Sequence, residues 1–419
     1  MFGLSKIERS WVFYDWANSA YSMAITSTIF PLFFKAVFVA NGGSTVNSTA
    51  YWGYANSLAT LLVAVIAPIL GTMADYKGNK MKFFKFFVTL GIGTTALLAF
   101  VPDASWYFLI GVYVLTVIGF NGSLIFYDAF LVDVTPSERM DRVSTMGYGM
   151  GYVGSTIPFI ASIGLVILAQ MEIVPFSVGF ASRIAFVITA IWWGVFTIPM
   201  LKNVKQLFGI AIEKDIVLNS FRRIGETFRN ISQHKNLFIF MIAYFFYIDG
   251  VDTIIKMATS YGSDLGISTT NLLIILLVTQ FVAFPFAILY GRLAEKFSAK
   301  KMLLFGVFVY AGICIYAYFL KTVLDFWILA MLVGTSQGGI QALSRSYFGK
   351  LVPKENSNEF FGFYNIFGKF AAIMGPFMMG FFTQLTGQTN FGVLSLVLLF
   401  IIGGTLLLFV KEEKKTISI

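Results

Sequence analysis

The chain has 419 residues, of which 57% are hydrophobic and only 12% charged, with a mean hydropathy of +0.78. Ordinary soluble domains carry about a quarter charged residues, whereas roughly 240 apolar residues match what about twelve membrane helices of ~20 residues need. A soluble enzyme, a disordered chain and a nucleic-acid-binding module are thereby excluded, and the net charge of +9 is spread as membrane orientation requires, not as a nucleic-acid surface. One cysteine, Cys314, and one histidine, His234, leave no intramolecular disulfide, no Cys-based metal cluster and no His-rich metal catalysis.

Charge-free runs, and one hydrophobic run that carries charges (Leu237–Ala258), predict the spans in chain order: Trp16–Phe34, Tyr51–Ala74, Phe86–Val101, Trp106–Tyr127, Val143–Gln170, Ile184–Leu201, Leu237–Ala258, Leu265–Gly291, Met302–Leu320 and Phe326–Ser344. Phe370–Val410 is long enough for two more, divided by the polar stretch Gln384–Asn390. Each run can cross ~30 Å of hydrocarbon as a helix, the form that satisfies backbone groups internally. The seventh run is unusual in carrying Asp249, Asp252 and Lys256. The expected class is therefore an all-α, multi-pass membrane protein.

Lys and Arg set the orientation. Lys6, Arg9, Lys77, Lys80, Lys82, Lys85, Arg139, Arg142, the cluster from Lys202 to Lys235, Arg292, Lys296, Lys300, Lys301, Lys350, Lys354, Lys411, Lys414 and Lys415 fall on one side. Only Lys35, Arg183, Lys256 and Lys321 border the other, so both termini are expected in the cytoplasm. The first span has no small-residue cleavage site after a short apolar region and reads as a retained helix.

The longest polar stretch, Lys202–Lys235, separates six spans from six. The expected division is residues 1–201, a linker over 202–235, and residues 236–419. Within the linker Val217, Phe221, Ile224, Phe228 and Ile231 form one apolar stripe, with Arg222, Arg223 and Arg229 off it. A helix lying on cytoplasmic headgroups fits this pattern; a flexible linker with chance periodicity is the alternative.

The halves repeat. Gly71-Thr-Met-Ala-Asp75-Tyr-Lys-Gly78-Asn-Lys80 follows the second span, and Gly291-Arg-Leu-Ala-Glu295-Lys-Phe-Ser-Ala-Lys300 follows the eighth, at an offset of 220 (291 − 71). Pro136 and Pro353 repeat at 217 (353 − 136). Such duplication across a central loop points to a secondary transporter. The first segment resembles the loop motif of the major facilitator superfamily, although Asn79 stands where a basic residue is usual and Ser298 replaces the second glycine in the later copy. Gly71 allows close helix packing and Gly78 a tight turn, while Asp75 is placed to accept from a neighbouring helix N-terminus or an Arg.

The N-terminal stretch Ser10-Trp11-Val-Phe-Tyr14-Asp15-Trp16-Ala17-Asn18-Ser19-Ala20-Tyr21 resembles the first helix of the autophagy-related vacuolar amino-acid effluxer family and its bacterial homologues. Phe126–Leu131 and Gly338–Ser346 resemble further stretches of that family, and the resemblance runs from Glu8 to Val410. It implies a major facilitator fold of twelve helices in two pseudo-symmetric six-helix bundles. It further implies alternating-access transport of small polar metabolites, by family the efflux of amino acids, and a central cavity lined by the first, fourth, seventh and tenth helices.

Polar residues within spans are costly and usually face the bundle interior, and here they cluster on those four helices. Asp15, Asn18, Ser22 and Thr26 fall at helical spacing on the first, Asn121 and Asp128 on the fourth, Asp249, Asp252 and Lys256 on the seventh, and Gln337, Gln341 and Arg345 on the tenth. Lys369, with Tyr364 and Asn365, is either a cavity charge or a carboxylate partner. Each set has a structural alternative: a self-neutralised group around Asp249, ion pairs among Asp15, Asp128 and Arg345, and interhelical hydrogen bonds from Asn121, Gln337 and Gln341. Asp252 is expected to take Lys256, leaving Asp249 for a substrate ammonium, a proton or Lys369. Arg345 aligns with Asp128 at the repeat offset and is expected to pair with Asp128 or Asp15 as an inner gate. The candidate pathway is thus Asp15, Asn18, Asn121, Asp128, Asp249, Asp252, Gln337, Gln341, Arg345 and Lys369, and the loop motif Gly71, Asp75, Gly78, Lys80, Gly291 and Glu295.

Gly147, Gly151 and Gly154 on the fifth span, and Gly368, Ala372 and Gly375 near the eleventh, read as packing faces, and Pro158 and Gly375-Pro376 as kinks. A multidrug or sugar carrier on the same fold is the runner-up function. An intramembrane prenyltransferase resting on Asp249-x-x-Asp252 is remote, because Asp128 and Asp133 diverge around their helix, and a non-transporting receptor is equally remote. No phosphate-cradling Gly-rich loop is present, so the driving force is expected from gradients, with proton coupling in prospect. The expected partners are a small-molecule substrate and the bilayer, with no cofactor, no nucleic acid and a monomeric state.

Overall fold

The computed structural model describes residues 3–211, 216–229, 234–264 and 267–411. Among them, every regular element is helical, and twelve helices are long and apolar enough to cross a membrane. The first three are Lys6–Ala40, Tyr51–Asp75 and Lys80–Phe100, followed by Trp106–Ala129, Ser137–Gln170 and Val178–Asn203. The second six begin at Lys235 and Thr269, continue with Ala299–Tyr318, Val323–Leu351 and Lys354–Thr386, and end with Thr389–Phe409. The linker carries its own helix, Ile216–Arg229. Ile231, the last member of its stripe, lies outside the described residues, as do Lys214, Leu265, Lys414 and Lys415.

The helices outrun the charge-free windows. The seventh continues to Asp264, past the expected end at Ala258, and the eighth runs to Phe297, beyond Arg292 and Glu295. Charge marks where hydrocarbon ends, but a helix continues until its terminal N–H and C=O groups meet a cap. Those caps are Ser5 with Glu8 before the first span and Thr322 with Asp325 before the tenth, both reciprocal capping boxes. Ser44, Ser177 and Ser268 cap three other helices.

The chain forms two compact units. One comprises Met1–Pro136, Met150–Phe221 and Lys354–Phe363, and the other Ser137–Gly149, Arg222–Pro353 and Tyr364–Ile419. Inside the first, the first span packs on the sixth, the second and third on the fourth, and the third on the sixth. Inside the second, the seventh packs on the twelfth, the eighth and ninth on the tenth, and the ninth on the twelfth. The same pairs recur six helices later, so the sequence repeat is also a packing repeat.

Both copies of the loop motif turn the chain at a residue with positive φ, at different cost. Gly78 has φ +83, and Ser298, 220 residues later, has φ +119 with ψ 152. Glycine occupies that region freely, whereas a side chain there is strained. Ser298 recovers part of the cost by capping the ninth span, its hydroxyl accepting from Lys301 N at 3.3 Å.

Candidate functional site

In the first unit, most of the N-terminal stretch is committed to packing. Trp11 Nε1 donates to Tyr127 O at 2.9 Å and its ring stacks on Tyr127 at 4.5 Å. Tyr14 donates to Ser123 Oγ at 2.6 Å, and Tyr21 shares a hydrogen bond with Thr116 at 2.7 Å. These bonds fasten the first span to the fourth. Trp192 Nε1 of the sixth span donates to Trp16 O, and Gly151 and Gly154 of the fifth lie against Ser19 and Trp16. Tyr14, Ser123, Tyr21 and Thr116 were not among the expected site residues, because a hydroxyl partner on another helix leaves no spacing signal.

Asp15, Asn18 and Asn121 are buried, Asp128 and Thr26 are half-buried, and Ser22 is exposed. The expected single face of the first span therefore needs correction. From Ser22 to Ile29 the helix is π-wound, one residue looser per turn than the 3.6-residue spacing that placed all four groups together. Ser27 donates back to Ser22 O, five residues away, as this winding allows. Such segments recur at functional sites. Asn18 Nδ2 is buried with no hydrogen-bond partner among the described residues.

The loop motif is a junction of three segments. Asp75 Oδ1 accepts from the backbone and side-chain nitrogens of Asn358, each at 2.9 Å, and Oδ2 accepts from Glu359 N at 3.3 Å. A carboxylate thus sits on the N-terminal turn of the eleventh span, where the helix dipole favours negative charge. Gly71 makes this approach possible, since a Cβ there would lie 2.5 Å from Asn358 O. Lys80 is fully buried and pairs with Asp133 at 2.6 Å, donating also to Ala129 O and Ser357 Oγ. Asp133 in turn accepts from Leu207 N and Phe208 N at 2.7 and 3.0 Å. Gln206 Oε1 accepts from Gly78 N at 2.9 Å, and Tyr76 and Ile210 form a parallel bridge. The linker's first residues are therefore part of this site, which their polar composition did not announce.

In the second unit, the first turns of the fifth span meet the tenth. Arg345 is buried and donates from Nε to Ser144 Oγ at 2.9 Å and from Nη2 to Ser144 O at 3.1 Å, with its guanidinium 4.4 Å over the Tyr148 ring. Asp141 accepts from Ser346 at 2.7 Å and pairs with Lys350, and Gly291 faces Thr145. None of these partners was expected for Arg345.

Asp249 is buried completely. Its Oδ2 accepts from Gly375 N of the eleventh span at 2.8 Å, and Thr253 donates to Oδ1 at 3.5 Å. A Cβ on Gly375 would meet Asp249 Oδ1 at 2.8 Å and collide with Thr253, so the missing side chain is what admits the carboxylate. Pro376 follows inside the same helix. Asp252 is half-buried with its carboxylate 3.9 Å from the exposed Lys256, the pairing that their spacing suggested. Gln341 and Lys369 are half-buried, Gln337 is buried, and Tyr247 and Ser344 join the seventh and tenth spans at 2.7 Å. No group of three or more His, Cys, Asp or Glu side chains that could hold a metal occurs among the described residues.

Comparison with known proteins follows the same outline. Residues 5–418 match the profile of the family described as vacuole effluxer Atg22 like. The chain is 59% identical over 412 residues to a Bacillus subtilis (strain 168) protein described as an uncharacterized MFS-type transporter, YxiO, covering 98% of this chain and 96% of that one. It is 24% identical over 396 residues to autophagy-related protein 22 of Saccharomyces cerevisiae (strain ATCC 204508 / S288c), covering 83% and 75%. Among solved structures, the proton:xylose symporter XylE superposes with a TM-score of 0.73 at 12% identity over 97% of this chain and 96% of that one. The Escherichia coli fucose:proton symporter FucP does so at 0.69 and 15% identity, over 97% and 98%.

Proposed function

Since the chain belongs to the Atg22-like vacuole effluxer family and is a multi-pass transporter of the major facilitator type, not an enzyme, we propose that it exports amino acids or closely similar small polar metabolites by proton-coupled alternating access. The observation that carries this reading is Asp249, a carboxylate buried completely within a membrane span and held by a backbone N–H. A charge at that depth is costly and marks a substrate or proton path.

In this reading Asp249 carries the coupling proton. Ionised, it accepts from Gly375 N and ties the seventh span to the eleventh; protonated, it loses half of its acceptor strength and loosens that tie. XylE and FucP are themselves proton symporters. The Lys and Arg bias supports a cytoplasmic placement of both termini.

Counterflow in proteoliposomes tests the substrate class. Vesicles loaded with unlabelled amino acid should accumulate the labelled form, and vesicles loaded with xylose or fucose should not accumulate labelled sugar. Sugar counterflow without amino-acid counterflow would replace this reading with that of a sugar carrier.

A further inference from the structure

The second unit contains a partly open cavity of about 80 Å³ that neither the loop motif nor Asp249 lines. All six of its spans contribute to the wall: Ile254 from the seventh, Ile275 from the eighth, Ile313 from the ninth, Leu329 from the tenth, Met379 from the eleventh and Val393 from the twelfth. A single water needs about 10–15 Å³, so the space suits a group of about five to eight non-hydrogen atoms. The wall is mostly aliphatic, a lining suited to an apolar guest.

One wall residue is out of keeping. Gln337 is 4% exposed, and its Nε2 has no hydrogen-bond partner among the described residues. The other buried polar groups in the wall are committed: Thr279 donates to Ile275 O at 2.8 Å and Tyr261 to Ala317 O at 2.7 Å. Gln280, the second amide of the wall, is half-buried. A buried amide donor left without an acceptor is destabilising, and so is an unfilled apolar space. A guest that presents an oxygen acceptor to Gln337 and an aliphatic chain to the surrounding wall removes both defects together.

We propose that this cavity is a binding site for a short neutral aliphatic chain bearing a carbonyl or hydroxyl oxygen, with Gln337 as its hydrogen-bond donor. Such a chain comes either from a small free molecule or from the oxygen-bearing part of a membrane lipid. The site lies wholly within one unit.

Hexan-2-one is the probe, titrated into the purified full-length protein in detergent while thermal unfolding is followed. Wild type should show a saturable rise in Tm, and n-hexane, which lacks the acceptor, a rise requiring at least fivefold higher concentration. Ala330→Leu and Ala258→Leu, which fill the wall from two different spans, should each abolish the response; Gln337→Leu should weaken hexan-2-one at least fivefold and leave hexane unchanged. Either filling variant suffices if the other fails to fold. Native mass spectrometry of the protein extracted from membranes separates the sources. A bound lipid present in wild type and absent from a filling variant assigns the site to a lipid chain, and its absence from both assigns it to a free molecule. No saturable response in wild type together with no lipid difference overturns the site. Equal hexan-2-one affinity in Gln337→Leu overturns the role of the amide.

Discussion

Lys80 and Asp133 form a fully buried ion pair at 2.6 Å, with Asp133 also accepting from the backbone of Leu207 and Phe208. Lysine 80 closes the loop motif, Asp133 follows the fourth span, and the 207–208 segment opens the linker. One charge pair therefore ties the loop, the fourth span and the linker into a single unit.

Removing one member leaves the other charged and buried, which costs about 3–5 kcal/mol. Lys80→Met should lower stability by that amount in equilibrium unfolding in mixed micelles. The double variant Lys80→Met with Asp133→Leu should recover only part, because the N–H groups of Leu207 and Phe208 then lose their acceptor. A Lys80→Met protein within about 0.5 kcal/mol of wild type would show that the pair is not a structural tie.

Ser298 occupies a backbone conformation suited to glycine, at a cost of about 1–3 kcal/mol. Ser298→Gly gives up a capping hydroxyl worth only a few tenths in that exchange. A net gain of about 1 kcal/mol is expected, whereas Ser298→Ala, which keeps the strain and loses the cap, should lose about 1 kcal/mol. The two Tm shifts should have opposite signs.

Asp249 and Gly375 are expected to fail together. Asp249→Asn keeps the shape and removes the charge, and Gly375→Ala drives a methyl group into the Asp249 and Thr253 side chains. Each should reduce counterflow at least tenfold at equal amounts of reconstituted protein. Wild-type rates in both would reduce Asp249 to a helix-packing residue.

Topology has a simple readout, since the one native thiol, Cys314, is completely buried and should resist polar maleimides. Ser44 is exposed beyond the first span. In intact cells Ser44→Cys should react with an impermeant maleimide added outside. Labelling only after the cytoplasmic side is opened would reverse the orientation.

What could be read before the structure was whatever membrane physics writes locally. Charge-free runs located the spans because a charge in hydrocarbon is expensive, and the repeat at Gly71 and Gly291 announced helix pairs that recur six spans later. Asp75 was legible as an acceptor for a helix N-terminus, though not which helix. The role of Asp133 was not legible, because nothing near it in the chain names its partner, Lys80, which lies 53 residues earlier. The π-wound stretch from Ser22 has no residue signature of its own, so the first span's face was drawn with the wrong period. The Ser5–Glu8 capping box was there to be read, as Ser-x-x-Glu ahead of an apolar run, but the charge-free window hid it by starting at Trp16. Gln337 shares a helical face with Gln341 and Arg345 by spacing, and only the packed bundle shows it lining an apolar cavity.

Net flux of a radiolabelled neutral amino acid across proteoliposomes, with and without an imposed pH gradient, is the decisive measurement. Wild type should accumulate the amino acid on the acidic side, as exchange for protons requires. A protonophore should abolish that accumulation, and Asp249→Asn should retain none of its pH dependence. Folded wild-type protein that moves amino acid no faster than protein-free vesicles, with or without the gradient, would contradict proton-coupled amino-acid export.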